Sequence, residues 1–174
     1  MATYRTRTYI AADWDHDKDA VDQLHKWNNS NFWNLSFTDV HELTSSRDSS
    51  LNCTIKSSLK SRMDVSKAFV LIVGNQTNTV TAGSCRWCGS YNAYTGRCAR
   101  WHSVDMRSFI KYECDKAIDA GIKIIVLYNS TKVDRAKCPD AVKYVGTHIA
   151  MVYKGIDGRY YWDYNAVKKA FEVV

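Results

Sequence analysis

Residues 68–74 read AFVLIVG. The apolar run from Ala68 to Val73 is too short for a buried helix and is rich in β-branched residues, and Gly74 closes it. A strand buried on both faces has this composition, and such strands belong to the middle of parallel sheets. Just upstream, Leu51, Ile55, Leu59 and Met63 recur every four residues, which predicts an amphipathic helix leading into that strand. Further back lie a polar, serine-rich loop (HELTSSRDSS) and a short strand, LSFTDV, from Leu35 to Val40. The first helix sits in DWDHDKDAVDQLHKW, where Ala20, Val21, Leu24 and Trp27 keep helical spacing behind several aspartates. RTYIAA, Arg7 to Ala12, reads as the first strand.

Downstream, a long polar stretch from Asn75 to Ser103 precedes a helix predicted over Val104 to Ala120 and stopped by Gly121. IKIIVLY (Ile122 to Tyr128) and THIAMVY (Thr147 to Tyr153) are two more strands, and a helix from Tyr164 to Phe171 closes the chain. Strands alternating with helices predict an α/β fold: a three-layer, doubly wound, parallel five-stranded sheet of the flavodoxin-like kind. Ligands in such folds bind beyond the carboxyl ends of the strands. The loops of interest therefore start at Ala12, Asp39, Gly74 and Asn129. No linker composition or repeat divides the chain, so residues 1–174 are expected to form one domain with an insertion at 75–103.

Composition narrows the function classes. The chain is 45% hydrophobic and 24% charged, ordinary for a globular protein, and no apolar run is long enough to span a membrane. A net charge of +6, spread along the sequence, suits an anionic ligand better than a nucleic acid, which is not expected as a partner. Without an export signal, a cytoplasmic location is expected, and the six cysteines should be thiols or metal ligands.

One residue stands out of place. On a helical wheel of about 100° per residue, Phe109, Met106, Ala117, Ile110, Cys114 and Ile118 form an apolar arc, and Glu113 falls inside it. A carboxylate on a core face is costly unless it is paired or used. It either pairs with a neighbouring cation or serves chemistry. At the end of the first strand, Asp13 and Asp15 either contact a sugar hydroxyl or brace the loop. Asp17 and Asp19 read as helix caps, and Asp39 is open to both readings. A phosphate sensor built on Asp13, Asp15 and Asp17 lacks its phosphoacceptor, because the third strand ends Val73-Gly74-Asn75.

Taken in order, YIAADWDHDKDAVDQL, LSFTDV, LNCTIKSSLKSRMDVSKAFVLIVG and MRSFIKYECDKAIDAGIKIIVLY resemble TIR-like domains, specifically the TIR-like proteins of Thoeris antiphage systems. The resemblance implies cleavage of the nicotinamide–ribose bond of NAD+, giving ADP-ribose or a cyclised signal. By position, Glu113 matches the family's catalytic glutamate. Ala12, Asp13 and Trp14 match the segment lining the nicotinamide-ribose pocket, and Asp39 matches the acidic position of the second strand. The chain departs from the family in its long segment 75–103 and in reading Ala11-Ala12 where a Ser-Phe pair is usual. TIR domains also act as non-catalytic modules that associate with one another or with another signalling protein, and that remains the alternative function.

The insertion carries Cys85-x2-Cys88-x9-Cys98-x3-His102, four candidate ligands for a structural zinc; free thiols or an oxidised Cys85–Cys88 pair are the other readings. The aromatic cluster Tyr160, Tyr161, Trp162 and Tyr164 is expected to pack the last helix on the sheet.

Overall fold

The structure, a computed structural model, describes residues 6–40 and 51–172. The serine-rich loop at 41–50 lies outside the described residues. Four parallel strands make the central sheet, in the order β1 (Arg7–Ala11), β2 (Ser66–Val73), β5 (Lys123–Tyr128) and β6 (Thr147–Ala150). Alternation in β1 sends Tyr9 and Ala11 to one face and Ile10 and Ala12 to the other. Helices α2 (Asn52–Asp64) and α3 (Phe109–Ala120) cover the first face. Helices α1 (Lys18–Asn28) and α4 (Tyr164–Glu172) cover the second. The run at 68–73 is the buried middle strand its composition predicts, flanked by β1 and β5.

The expected fifth strand, Leu35 to Val40, does not form. That segment lies beside β1 but makes a single parallel bridge, Thr8 to Asp39. Two residues break its extended run: Asn34 and Ser36 have φ of 44° and 57°, in the left-handed region. The backbone of Phe37 is held instead by a side chain. Asn28, at the end of α1, donates to Phe37 O at 2.9 Å and accepts from Phe37 N at 2.7 Å. One amide thus does for Phe37 what a neighbouring strand would have done.

Helix α3 starts at Phe109, five residues later than its apolar spacing predicts. Ser108 caps it, accepting from Lys111 N at 3.2 Å. Residues 105–107 are tied elsewhere: Cys85 N donates to Asp105 O, and Lys56 Nζ donates to the carbonyls of Asp105 and Arg107. Met106 is therefore exposed rather than part of the apolar arc, and so is Ile118. Gly121, at φ 61°, ends the helix as expected.

The predicted strand 147–153 divides at Met151. This buried residue donates to Tyr128 O and accepts from Asp163 N, and beyond it the chain leaves the sheet. There β7 (Val152–Lys154) pairs with β8 (Tyr160–Trp162) as an antiparallel hairpin, in which Tyr160 and Tyr161 are exposed. The insertion is a loop tied down at its base, where Phe109 N donates to Ala82 O. It carries a 3-10 turn (Cys85–Trp87) and a small ribbon, β3 (Tyr91–Asn92) with β4 (Arg97–Cys98).

The Asn28 clamp is testable. Asn28→Ala leaves both backbone groups of Phe37 without that partner, so urea denaturation should show a loss of about 1–3 kcal/mol. Amide exchange at Phe37 should accelerate while β2 stays protected. Unchanged exchange at Phe37 would refute the clamp.

Candidate active site

Glu113 lies one turn into α3 and is only 7% exposed. Tyr9, fully buried in the middle of β1, donates its hydroxyl to Glu113 Oε1 at 2.5 Å. Burial first, then the charge and hydrogen bond of Glu113, hold the Tyr9 phenol well above its usual titration range. Tyr9 is thus a neutral donor across the physiological range, one that orients the Glu113 side chain.

Three cations near α3 form a cluster of their own, and the charge of Arg62 on α2 reaches the Tyr9 phenol. Lys56, buried on α2, spans the Asp105 carboxylate and the carbonyls of Asp105 and Arg107. Desolvation pulls its ammonium below the ordinary lysine range, and Asp105 opposes that shift. Arg107 bridges Asp105 and Asp115 at 2.8 and 2.6 Å, and Lys116 pairs with Asp119. All three cations also face the ring of Tyr112, a buried residue of α3. Burial raises the Asp105 carboxyl, but the Arg107 hydrogen bonds and Lys56 outweigh it and bring it down to about 2.

The other expected site residues form separate groups. Ala12 and Asp13 are buried at the carboxyl end of β1. Asp13 braces its own loop: its carboxylate accepts from Asp15 N and meets His16 Nδ1 at 2.7 Å. Trp14 is 47% exposed beside it. Asp39, buried at the sheet edge, meets His25 Nε2 of α1 at 3.1 Å. It lies close enough to Tyr9 for its charge to act on the phenol.

Asp17 has a part that its sequence position did not predict. It stands at the N-cap of α1 but makes no side-chain cap. Its Oδ1 accepts from Asn129 Nδ2 at 3.0 Å, while Asn129 N donates to Val73 O. Its Oδ2 is buried with no hydrogen-bond partner among the described residues. Burial, with Asp13 and Asp19 nearby, pushes the Asp17 carboxyl up, against the Asn129 hydrogen bond. The Asp17 carboxylate fills the space beside Gly74, where a Cβ would lie 2.0 Å from Oδ1 and displace it. The loops after β1, β2 and β5 are thereby stitched together at the carboxyl end of the sheet.

Among the described residues, no three His, Cys, Asp or Glu side chains converge as a metal-binding group. Cys85, Cys88, Cys98 and His102 are therefore not gathered into a zinc site, and all six cysteines are free. Buried Cys85 accepts from Asp105 N at 3.3 Å through its sulfur. No helix of the described residues is long and apolar enough to cross a membrane. A cavity of about 680 Å³ opens at the opposite, amino ends of the strands, lined in part by Thr8, Phe37, Lys67, Lys123 and Lys168.

Tyr9 and Lys56 were not singled out from sequence, and Asn129 was named only as the start of a loop of interest. Lys56 left a trace: it sits three residues before Leu59 and seven before Met63, on the apolar face of α2. The Asp105 cluster predicts a pH dependence. A carboxyl at about 2 in the folded state, against 3.8 in an open chain, stabilises the fold above about pH 4. That contribution, about 2 kcal/mol at most, is lost as pH falls from about 4 to 2. Over that interval thermal unfolding of the wild type should fall more steeply than that of Asp105→Asn, and parallel curves would exclude the cluster as the cause.

Residues 9–82, from β1 into the start of the insertion, match the family model described as Thoeris protein ThsB, TIR-like domain. The match ends before α3, so Glu113 lies beyond it. No curated protein matches the chain. A parallel sheet with helices on both faces is consistent with a TIR-like fold, and over residues 9–82 the chain is similar to the TIR-like domain of the Thoeris ThsB family.

Proposed function

We propose that this protein is a TIR-type signalling enzyme of antiphage defence that cleaves NAD+ between nicotinamide and ribose. The observation that carries the reading is the Glu113 carboxylate, held on the core side of α3 by the Tyr9 hydroxyl. The C1′–N bond breaks and nicotinamide leaves as a neutral molecule with the bonding electron pair. The ribose passes through an oxocarbenium-like state, as in glycoside hydrolysis. A carboxylate fixed in a water-poor site stabilises that developing positive charge without having to reorganise. Water then adds at C1′ and gives up a proton, yielding ADP-ribose. Attack by a nitrogen of the adenine base instead would yield a cyclic product. Ala12, Asp13 and Trp14 at the end of β1, with Asp39 at the edge, are the proposed wall around the nicotinamide ribose.

The second reading is a non-catalytic TIR-like module that works by association. It is favoured by the burial of Glu113, Asp13 and Asp39, which leaves little carboxylate surface open to a ligand. Incubating purified protein with NAD+, with products followed by liquid chromatography and mass spectrometry, separates the two. Nicotinamide release by the wild type should fall about 100- to 1,000-fold or more in Glu113→Gln, with unchanged circular dichroism. Equal release by both proteins would remove Glu113 from the chemistry. No release from wild type, even when concentrated and oligomerised by fusion, would favour the association module.

A further inference from the structure

The insertion has no part in the chemistry proposed above, and its surface is unlike the rest of the molecule. From Asn75 to Val104 there is no Asp or Glu, but there are three arginines, Arg86, Arg97 and Arg100. All three are exposed, and none makes an ion pair among the described residues. Elsewhere several surface lysines pair with an acid one helical turn away, as in Lys18–Asp22, Lys60–Asp64 and Lys116–Asp119. The same segment turns large aromatic rings outward. Trp87 is 69% exposed, Trp101 88%, and Tyr94 at the ribbon tip fully so.

The backbone is strained at one of these rings. Trp101 has a φ of 60°, a left-handed conformation unfavourable to a bulky residue. The ribbon does not need that strain to turn. Asn92 Oδ1 accepts from Tyr94 N and Thr95 N, and Gly96 supplies the positive φ at the tip. The Trp101 ring gains no burial from that conformation.

Cations without acids, alternating with exposed flat rings, fit a polyanion that also has flat faces. We propose that the insertion binds single-stranded nucleic acid, with bases stacking on Trp87, Tyr94 and Trp101 and phosphates meeting Arg86, Arg97 and Arg100. A duplex hides its base faces and fits less well. An acidic protein surface would answer the arginines, but its carboxylates meet the negative faces of the rings unfavourably. The spread of charge over the whole sequence argued against a nucleic-acid partner. Within the insertion alone, the arginines and those rings lie on one segment and all of them are exposed. The site does not depend on Glu113.

The test uses the full chain and fluorescein-labelled oligo-dT and oligo-U of about 12 nucleotides. Anisotropy and intrinsic tryptophan fluorescence are followed together at low salt. Saturable binding with tryptophan quenching is expected, weakening with salt at a log–log slope of about −2 for three phosphates. The double variants Trp87→Ala/Trp101→Ala and Arg97→Ala/Arg100→Ala should each bind about tenfold more weakly or worse. A duplex of equal length should also bind at least about tenfold more weakly, whereas Glu113→Gln should bind like wild type. The substituted side chains are exposed, and circular dichroism checks that the variants fold. Absence of saturable binding would overturn the proposal, as would binding that survives both double variants. Competition by polyglutamate as effective as that by oligonucleotide, without quenching, would assign the surface to an acidic protein instead.

Discussion

A buried ammonium sets the frame around Glu113. Lys56 lies on the apolar face of α2, where an unpaired charge would cost several kcal/mol. It is tolerated because its three donors reach the Asp105 carboxylate and the carbonyls of Asp105 and Arg107. Those carbonyls belong to the approach of α3, not to the helix. Lys56 thus holds residues 105–107 outside the helix, and the Ser108 cap comes directly after them. Once the helix begins at Phe109, its geometry turns Ile110, Glu113, Cys114 and Ala117 toward the sheet together. The position of the Glu113 carboxylate against Tyr9 is therefore set by a lysine on another helix.

The carboxyl end of the sheet is tied together by a different kind of contact. Asp17 reaches across from α1 to Asn129 after β5 and presses on the backbone at Gly74 after β2. That carboxylate gives up the capping role its position suggests and accepts burial, with one oxygen unsatisfied among the described residues. Buried polar groups of this kind are enriched at functional sites, and they also occur in purely structural networks. In this molecule the two faces of β1 serve different ends. Tyr9 meets the α3 carboxylate, and the loop after Ala12 brings Asp13 and Trp14 to the rim.

The parts of the fold legible in sequence are those governed by local periodicity. The apolar run of β2, the four-residue spacing of α2 and the glycine stop at Gly121 each needs only its own neighbours, and each formed as expected. The failures all involve a distant partner. Leu35–Val40 has strand composition, but its backbone is captured by Asn28 and broken at Asn34 and Ser36. The apolar spacing of 104–120 extends past the true helix start because periodicity cannot see Lys56. The run 147–153 reads as one strand, yet Met151 anchors to Tyr128 and Asp163 and turns the chain out of the sheet into the β7–β8 hairpin. For the site, Glu113 was legible because it breaks its helix's pattern, whereas its partner Tyr9 looks like any strand aromatic. The cysteine spacing of the insertion was legible as a pattern, but among the described residues the chain does not close it into a ligand cluster.

The proposed chemistry requires the dinucleotide to meet the buried carboxylate, and a crystal structure of Glu113→Gln grown with NAD+ addresses that most directly. The expected result is the nicotinamide ribose in contact with the side chain at position 113, beside Tyr9, with the nicotinamide near Ala12, Asp13 and Trp14. NAD+ seated instead in the lysine-lined cavity at the amino ends of the strands, with position 113 still walled off by Tyr9, would contradict it.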